Sequence, residues 1–186
     1  MISIISLLII IIVIVGLVTF LINTYNRLVI LNNNSQKAFA NIEVILKQRA
    51  DEIPNLVRVV KATSLYENTV LKELVTLRSQ YLGAHQVHEK IKTAERMDGK
   101  LKSVMLIIEN YPEIKSNQSY LELQKRLSDL EEIIAARRIF FNESVNLYNT
   151  GIETFPDSIF AKMMSYRKKE MLQFSDTEKQ NNPATL

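Results

Sequence analysis

The sequence predicts an all-α protein, with an N-terminal transmembrane helix followed by an antiparallel up-and-down helical bundle of about four long helices. Three observations carry this. The first 22 residues contain no charged side chain. From Tyr25 onward, apolar residues recur at three- and four-residue steps, the period of a helix with one buried face. The 186-residue chain has only four Gly and four Pro, too few for the turns and corners of a β fold.

The apolar run Ile2 to Ile22, "ISIISLLIIIIVIVGLVTFLI", is broken only by Ser3, Ser6, Gly16 and Thr19. At about 1.5 Å per helical residue it spans roughly 30 Å, the thickness of a bilayer's hydrocarbon core. A secretory signal peptide would need a basic start, a shorter apolar stretch and a small-residue cleavage site, and the run has none of these. A retained anchor over residues 1–23 is the expectation, with the lipid bilayer met through residues 2–22. Arg27 and Lys37 follow the span before the first acidic residue, Glu43. Basic residues stay preferentially on the cytoplasmic side, so the N-terminus is expected outside and the rest of the chain in the cytoplasm. Gly16 belongs to no strong small-xxx-small pattern, so homo-oligomerisation through the span has no support.

Residues 24–156 read as the cytoplasmic bundle. In helix 1, Leu28, Leu31, Ala38, Ile42 and Ile45 form one stripe, with "NNNS" at 32–35 as a weak point. The segment "RADEIPNLV", Arg49 to Val57, carries Pro54. A proline costs about 3 kcal/mol inside a helix but little in a first turn, which predicts a helix boundary at Asp51 to Pro54. Asp51 or Ile53 would then cap helix 2, with Pro54 and Asn55 in its first turn. Its stripe is Ile53, Leu56, Val60, Thr63, Glu67, Val70, Leu74, Leu77 and Tyr81, ending at "LGAH", where Gly83 is suited to a left-handed cap.

Helix 3 carries Val87, Ile91, Ala94, Leu101, Val104 and Ile108. Pro112 makes Tyr111 to Asn117 a turn, and Ser116, Asn117 or Ser119 can cap the next helix. That helix, the fourth, shows Tyr120, Leu123, Leu127, Leu130, Ile134, Arg137, Phe141, Ser144 and Tyr148, and should end between Gly151 and Pro156. A short amphipathic helix is expected over 157–174, with the basic cluster Arg167, Lys168 and Lys169. A mobile polar tail is expected over 175–186.

Composition narrows the chemistry. With 23 basic and 20 acidic residues, mostly interleaved, the net charge of +3 describes no basic domain, and nucleic-acid binding is not indicated. The absence of cysteine removes disulfides, thiolate metal sites and cysteine nucleophiles. His85, His88 and Glu89 in "HQVHE" are the conventional metal-ligand candidates, but they match neither H-E-x-x-H nor H-x-x-E-H. Solvent-exposed histidines at a helix junction are the favoured reading. No nucleophile elbow, phosphate-binding loop or dinucleotide fingerprint occurs, so no catalytic residue and no cofactor is assigned.

Arg49, Glu67 and Arg137 fall on stripe positions that core logic would fill with Leu, Ile or Val. Either they lie at an edge and snorkel into water, or they point inward. Inward charges must be paired, because an unpaired buried charge costs roughly 3–5 kcal/mol. The sharper expectation is a network of Glu67 with Arg137 or Arg49.

Several segments together resemble the LemA family of bacterial membrane proteins: "YNRLV", "LKQRADEIPNLVRVVK", "ENYPEIKSNQSYLELQKRL", "AARRIFFNESVNLYNTGIETFP" and "AKMMSYRKK". The resemblance runs from Tyr25 to about Phe174. The matching positions include Arg49, Asp51, Pro54, Asn55, Arg137, Asn142, Tyr148, Asn149 and Pro156. Ile114, Tyr66 and the terminal "PATL" depart from the family's pattern. The resemblance implies a single-span protein of the bacterial inner membrane with a cytoplasmic helical bundle, and it supplies no catalytic residues. The expected role is a non-enzymatic scaffold or adaptor with a membrane or cytoplasmic protein partner. The alternatives are a metal-dependent hydrolase using His85, His88 and Glu89, and a lipid-contacting surface module around Arg167 to Lys169.

Overall fold

The computed structural model describes residues 2–60 and 69–172. All regular structure among them is helical. Helix α1 runs Ile2–Val60, α2 Thr69–Gly83, α3 Val87–Ile108, α4 Pro112–Lys115, α5 Gln118–Glu153 and α6 Asp157–Met163. The all-α prediction holds, with α1, α2, α3 and α5 as the long helices. The chain divides into two compact units, one formed by residues 2–39 with Phe141–Met171, the other by Ala40–Phe140 with Leu172.

In the first unit, α1 opens with the apolar run. Every Ile, Leu, Val and Phe from Ile4 to Ile22 is exposed, which is the state of a helix whose solvent is lipid and not a protein core. The run is long and apolar enough to be a candidate membrane span. Beyond it, Leu28, Tyr148, Ile152 and Ala161 form a buried cluster packed by Leu31, Phe160, Met164 and Tyr166. The ring centroids of Phe39 and Phe141 lie 5.8 Å apart, and a methyl placed on Gly151 would clash with Leu31 Cδ1. Residues 31 and 39 of α1 thus face 151 and 141 of α5, an antiparallel pair drawn close by the missing side chain at Gly151.

The second unit contains the remainder of α1 with α2, α3, α4 and the first part of α5. Here too α1 and α5 are antiparallel, since Arg49 meets Glu131 and Glu52 meets Arg126. Helices α2 and α3 form an antiparallel hairpin, with Lys100 2.5 Å from Glu73. The core stripes follow the predicted period: Ile42, Leu46, Ala50, Ile53, Leu56 and Val60; Leu71, Leu74, Leu77 and Tyr81; Ile91, Ala94, Leu101, Val104 and Ile108. Asn117 caps α5, its side-chain oxygen accepting from the backbone N–H groups of Ser119 at 2.9 Å and Tyr120 at 3.4 Å.

Four expectations are corrected. Pro54 starts no new helix, because α1 passes through it to Val60 and through "NNNS" as well. Asp51 and Ile53 are therefore interior helical residues and cap nothing. The burial stripe explains the continuity: residues 46, 50, 53, 56 and 60 keep three- and four-residue steps with no change of phase at the proline. Pro54 itself is on the exposed face. Its missing N–H frees the carbonyl of Ala50, and Arg78 of α2 fills the vacancy by donating Nε–H to that oxygen at 2.9 Å.

Second, α2 ends at Gly83 without a left-handed glycine. Third, the helix expected over 157–174 stops at Met163. Ser165 takes φ 55°, the N–H of Tyr166 reaches back to the carbonyl of Ala161, and that of Ser165 to Lys162. This is a Schellman termination, and Tyr166 after it packs against the core cluster that contains Ala161. Fourth, Arg137 is exposed and Arg138 is buried, since the stripe steps by four and then three after Ile134 to reach Phe141. Glu67, Thr63 and the 175–186 tail lie outside the described residues.

Candidate functional site

The second unit holds a buried ion cluster built on Arg49. Of the two readings open for Arg49, an edge position or an inward one, the structure shows the inward one: Arg49 is 2% exposed. Its Nη1 donates to Asp98 Oδ1 of α3 at 2.6 Å and to Glu131 Oε2 of α5 at 2.9 Å. Lys102 joins the same two carboxylates, at 3.1 Å from Asp98 and 3.2 Å from Glu131. Two cations thus face two anions, which satisfies the requirement that buried charge be paired. Burial alone would depress the Lys102 ammonium, but Asp98 and Glu131 outweigh it and hold its pKa above the usual lysine value. Arg137 takes no part in this cluster, because it points to solvent.

Asp98 and Glu131 were not singled out in the sequence. Asp98 was legible, since it continues the α3 stripe Ile91, Ala94, Asp98, Leu101. Glu131 was not, because a half-exposed glutamate on a long helix looks like any solvated one.

Beside the cluster runs a groove of about 430 Å³. Its apolar wall includes Leu101, Met105, Leu106 and Leu127, its charged end is the Arg49 cluster, and Tyr120 and Gln124 add polar edges. Such a groove can take an apolar side chain and present charge to what flanks it. Nearby, Asn55 donates to Glu52 at 2.7 Å, and Glu52 lies 3.3 Å from Arg126. Asp51 is 3.6 Å from Arg78. The charged residues of "RADEIPNLV" therefore tie α1 to α2, α3 and α5.

The first unit holds a second polar constellation that the sequence did not foretell. After α6 the chain returns along α1 and α5 as a strap. Asn149 grips the backbone of Lys169 at both ends, donating to its carbonyl at 2.9 Å and accepting from its N–H at 2.9 Å. The Tyr148 hydroxyl donates to the Arg167 carbonyl at 3.1 Å. The Lys169 ammonium reaches Asn32 Oδ1 at 2.7 Å and Ser35 Oγ at 2.6 Å, and stands 4.3 Å from the centre of the Tyr148 ring. Burial pushes the Lys169 pKa down. The weak point "NNNS" is thus where the strap is pinned. Tyr148 and Asn149 have a shared structural task there. Asn142 is half-buried on α5, and Pro156 occupies the turn between α5 and α6.

His85 lies in the loop after α2, and His88 and Glu89 lie in the first turn of α3, all three exposed. Among the described residues, no group of three or more His, Asp and Glu is arranged to hold a metal ion.

The family model of the LemA family matches residues 38–185. The chain is also similar to magnetosome protein MamQ of Magnetospirillum gryphiswaldense, with 23% identity over 84% of this chain and 67% of that protein. Magnetosome protein MamQ 2 of Paramagnetospirillum magneticum is 22% identical over 86% of this chain and 68% of its own length. The family match takes in the Arg49 cluster and the strap, and the chain belongs to the LemA family.

Proposed function

We propose that this protein is a non-enzymatic scaffold or adaptor, anchored in the bacterial inner membrane by α1 with its bundle in the cytoplasm. The observation that carries the reading is the division of α1. Its first part carries no charged side chain and exposes every Ile, Leu, Val and Phe from Ile4 to Ile22, and its continuation is locked to α2, α3 and α5 by the Arg49, Arg78 and Glu52 contacts. One helix thus supplies both the apolar run and part of the bundle's packing. That relatives are named as proteins of the magnetosome and not for a reaction is in keeping with a non-catalytic part.

The groove beside Arg49 is the surface that best suits a protein partner. Leu106 on its wall is 63% exposed, a large apolar side chain at the rim of a charged cluster. The occupant would be an apolar side chain of a partner protein, flanked by polar groups that meet Lys102 and Glu131.

A photo-crosslinking residue in place of Leu106, in intact cells, tests this. A discrete crosslinked protein, lost when Lys102 and Glu131 are both replaced, supports the scaffold. Crosslinking to lipid or to nothing, at several positions around the groove, would overturn it. Because the chain has no cysteine, single cysteines placed in the bundle and labelled by membrane-impermeant reagents read the orientation directly.

A further inference from the structure

The turn after α5 and the helix α6 carry large apolar side chains that are left exposed in the first unit. Phe155 is 78% exposed, Ile159 52% and Met163 77%. Scattered exposed apolar residues need no explanation, but three bulky ones within nine positions form a patch. The direction of Ile159 and Met163 is set by what α6 buries. Asp157 and Ala161, four apart, are the buried residues of this helix. Ile159 and Met163 lie half a turn round from them and so face away from the bundle.

The level of this patch along α1 is fixed by contacts. Asp157 is ion-paired with Arg27, and Ala161 shares a buried cluster with Leu28. Arg27 is five residues beyond Ile22, the last residue of the apolar run, which is about 8 Å of helix. The headgroup layer on each face of a bilayer is of similar depth, about 5–8 Å. A helix pinned to Arg27 therefore sits within that layer if α1 crosses the membrane.

Its surroundings match the place. Tyr25, between the span and Arg27, is 51% exposed, and aromatic rings of this kind favour the headgroup level. Lys162, next to Met163 on α6, and Arg167, in the segment after it, are exposed, and Arg27 keeps a side chain 58% open to solvent. Cationic groups around an apolar face are the composition that anionic lipid attracts.

We propose that Phe155, Ile159 and Met163 form a second membrane contact, seated in the interfacial layer of the bilayer that α1 crosses. The occupant of the patch is lipid. Two contacts at different depths would fix the tilt and rotation of the bundle's base, which a single helix leaves free. The proposal rests on the anchoring role given to α1.

The test uses the full chain in lipid nanodiscs of phosphatidylcholine and phosphatidylglycerol, loaded at one chain per disc. Single cysteines, Phe155→Cys, Ile159→Cys and Met163→Cys, carry an environment-sensitive fluorophore. Ile12→Cys serves as the span control and Val75→Cys, on exposed α2, as the aqueous control. The expected result is quenching at 155, 159 and 163 by lipid bearing a headgroup-level nitroxide, with iodide quenching several-fold below that at Val75. Iodide quenching equal to that at Val75 overturns the proposal, and so does shielding from both quenchers, which would mean that protein covers the patch. Failure of acyl-chain nitroxides to quench Ile12 would overturn the anchor reading itself, and is thereby distinguished from failure of the patch alone.

Discussion

Arg78 donates its Nε–H to the carbonyl of Ala50 at 2.9 Å, the acceptor that Pro54, four residues on, has no N–H to serve. A long-range side chain thus repairs a local defect, and α1 continues where its sequence predicts a stop. Ala50 is fully buried, so the repair has no substitute in water. Replacing Arg78 by Met is expected to cost about 1–3 kcal/mol, the penalty for a buried polar group left unmade. In a Pro54→Ala background the helix supplies its own N–H, and the cost of Arg78→Met should fall by half or more. Denaturant unfolding of the four proteins in detergent, read as a double-mutant cycle, checks this, and equal costs in both backgrounds would refute the repair.

Arg49 contacts both Asp98 and Glu131. Arg49→Met leaves a buried Asp98 with Lys102 as its remaining cation, and a loss of about 3 kcal/mol is expected, the low end for a broken buried pair. Adding Asp98→Leu should return part of that loss, because the stranded charge goes with it. Glu131→Gln is expected to cost less than Arg49→Met, since the Glu131 side chain is 32% exposed. Thermal unfolding of these variants ranks them.

Asn149 holds the strap by two backbone hydrogen bonds to Lys169. Asn149→Ala removes both, worth together about 1–3 kcal/mol, so the population with the strap open should rise roughly five- to 150-fold. Arg167, Lys168 and Lys169 make that opening visible to trypsin. Native-state cleavage after Arg167 should accelerate in the variant, while cleavage at the exposed Lys125 of α5 should not.

Burial lifts the Tyr81 hydroxyl to a pKa of about 12, with the Glu43 carboxylate adding to the rise. An unfolded tyrosine ionises near pH 10. Between those values the unfolded chain has lost the proton that the folded chain keeps, so stability falls as pH climbs from about 10 to about 12. Tyr81→Phe should show a shallower fall over that window. Absorbance titration of phenolate, with unfolding measured at each pH, tests both statements.

The sequence by itself determined the helical class, the apolar run, and the inward faces of α2, α3 and α5, because these depend on a period that neighbours along one chain already display. It also put Arg49 on a stripe position, with an edge and an inward reading both open, and offered Asn117 as one of three caps beside Ser116 and Ser119. Tertiary structure alone decided the fate of Pro54, since a proline's penalty is local but its relief came from Arg78, 24 positions away. The same holds for Arg138 in place of Arg137, where two step orders fit the stripe equally and only the packing partner chooses. The strap was invisible for a related reason. Tyr148 reads as core, Asn149 and Asn32 as surface, and Lys169 as one of a basic run, and their common role exists only where α1, α5 and the chain after α6 meet.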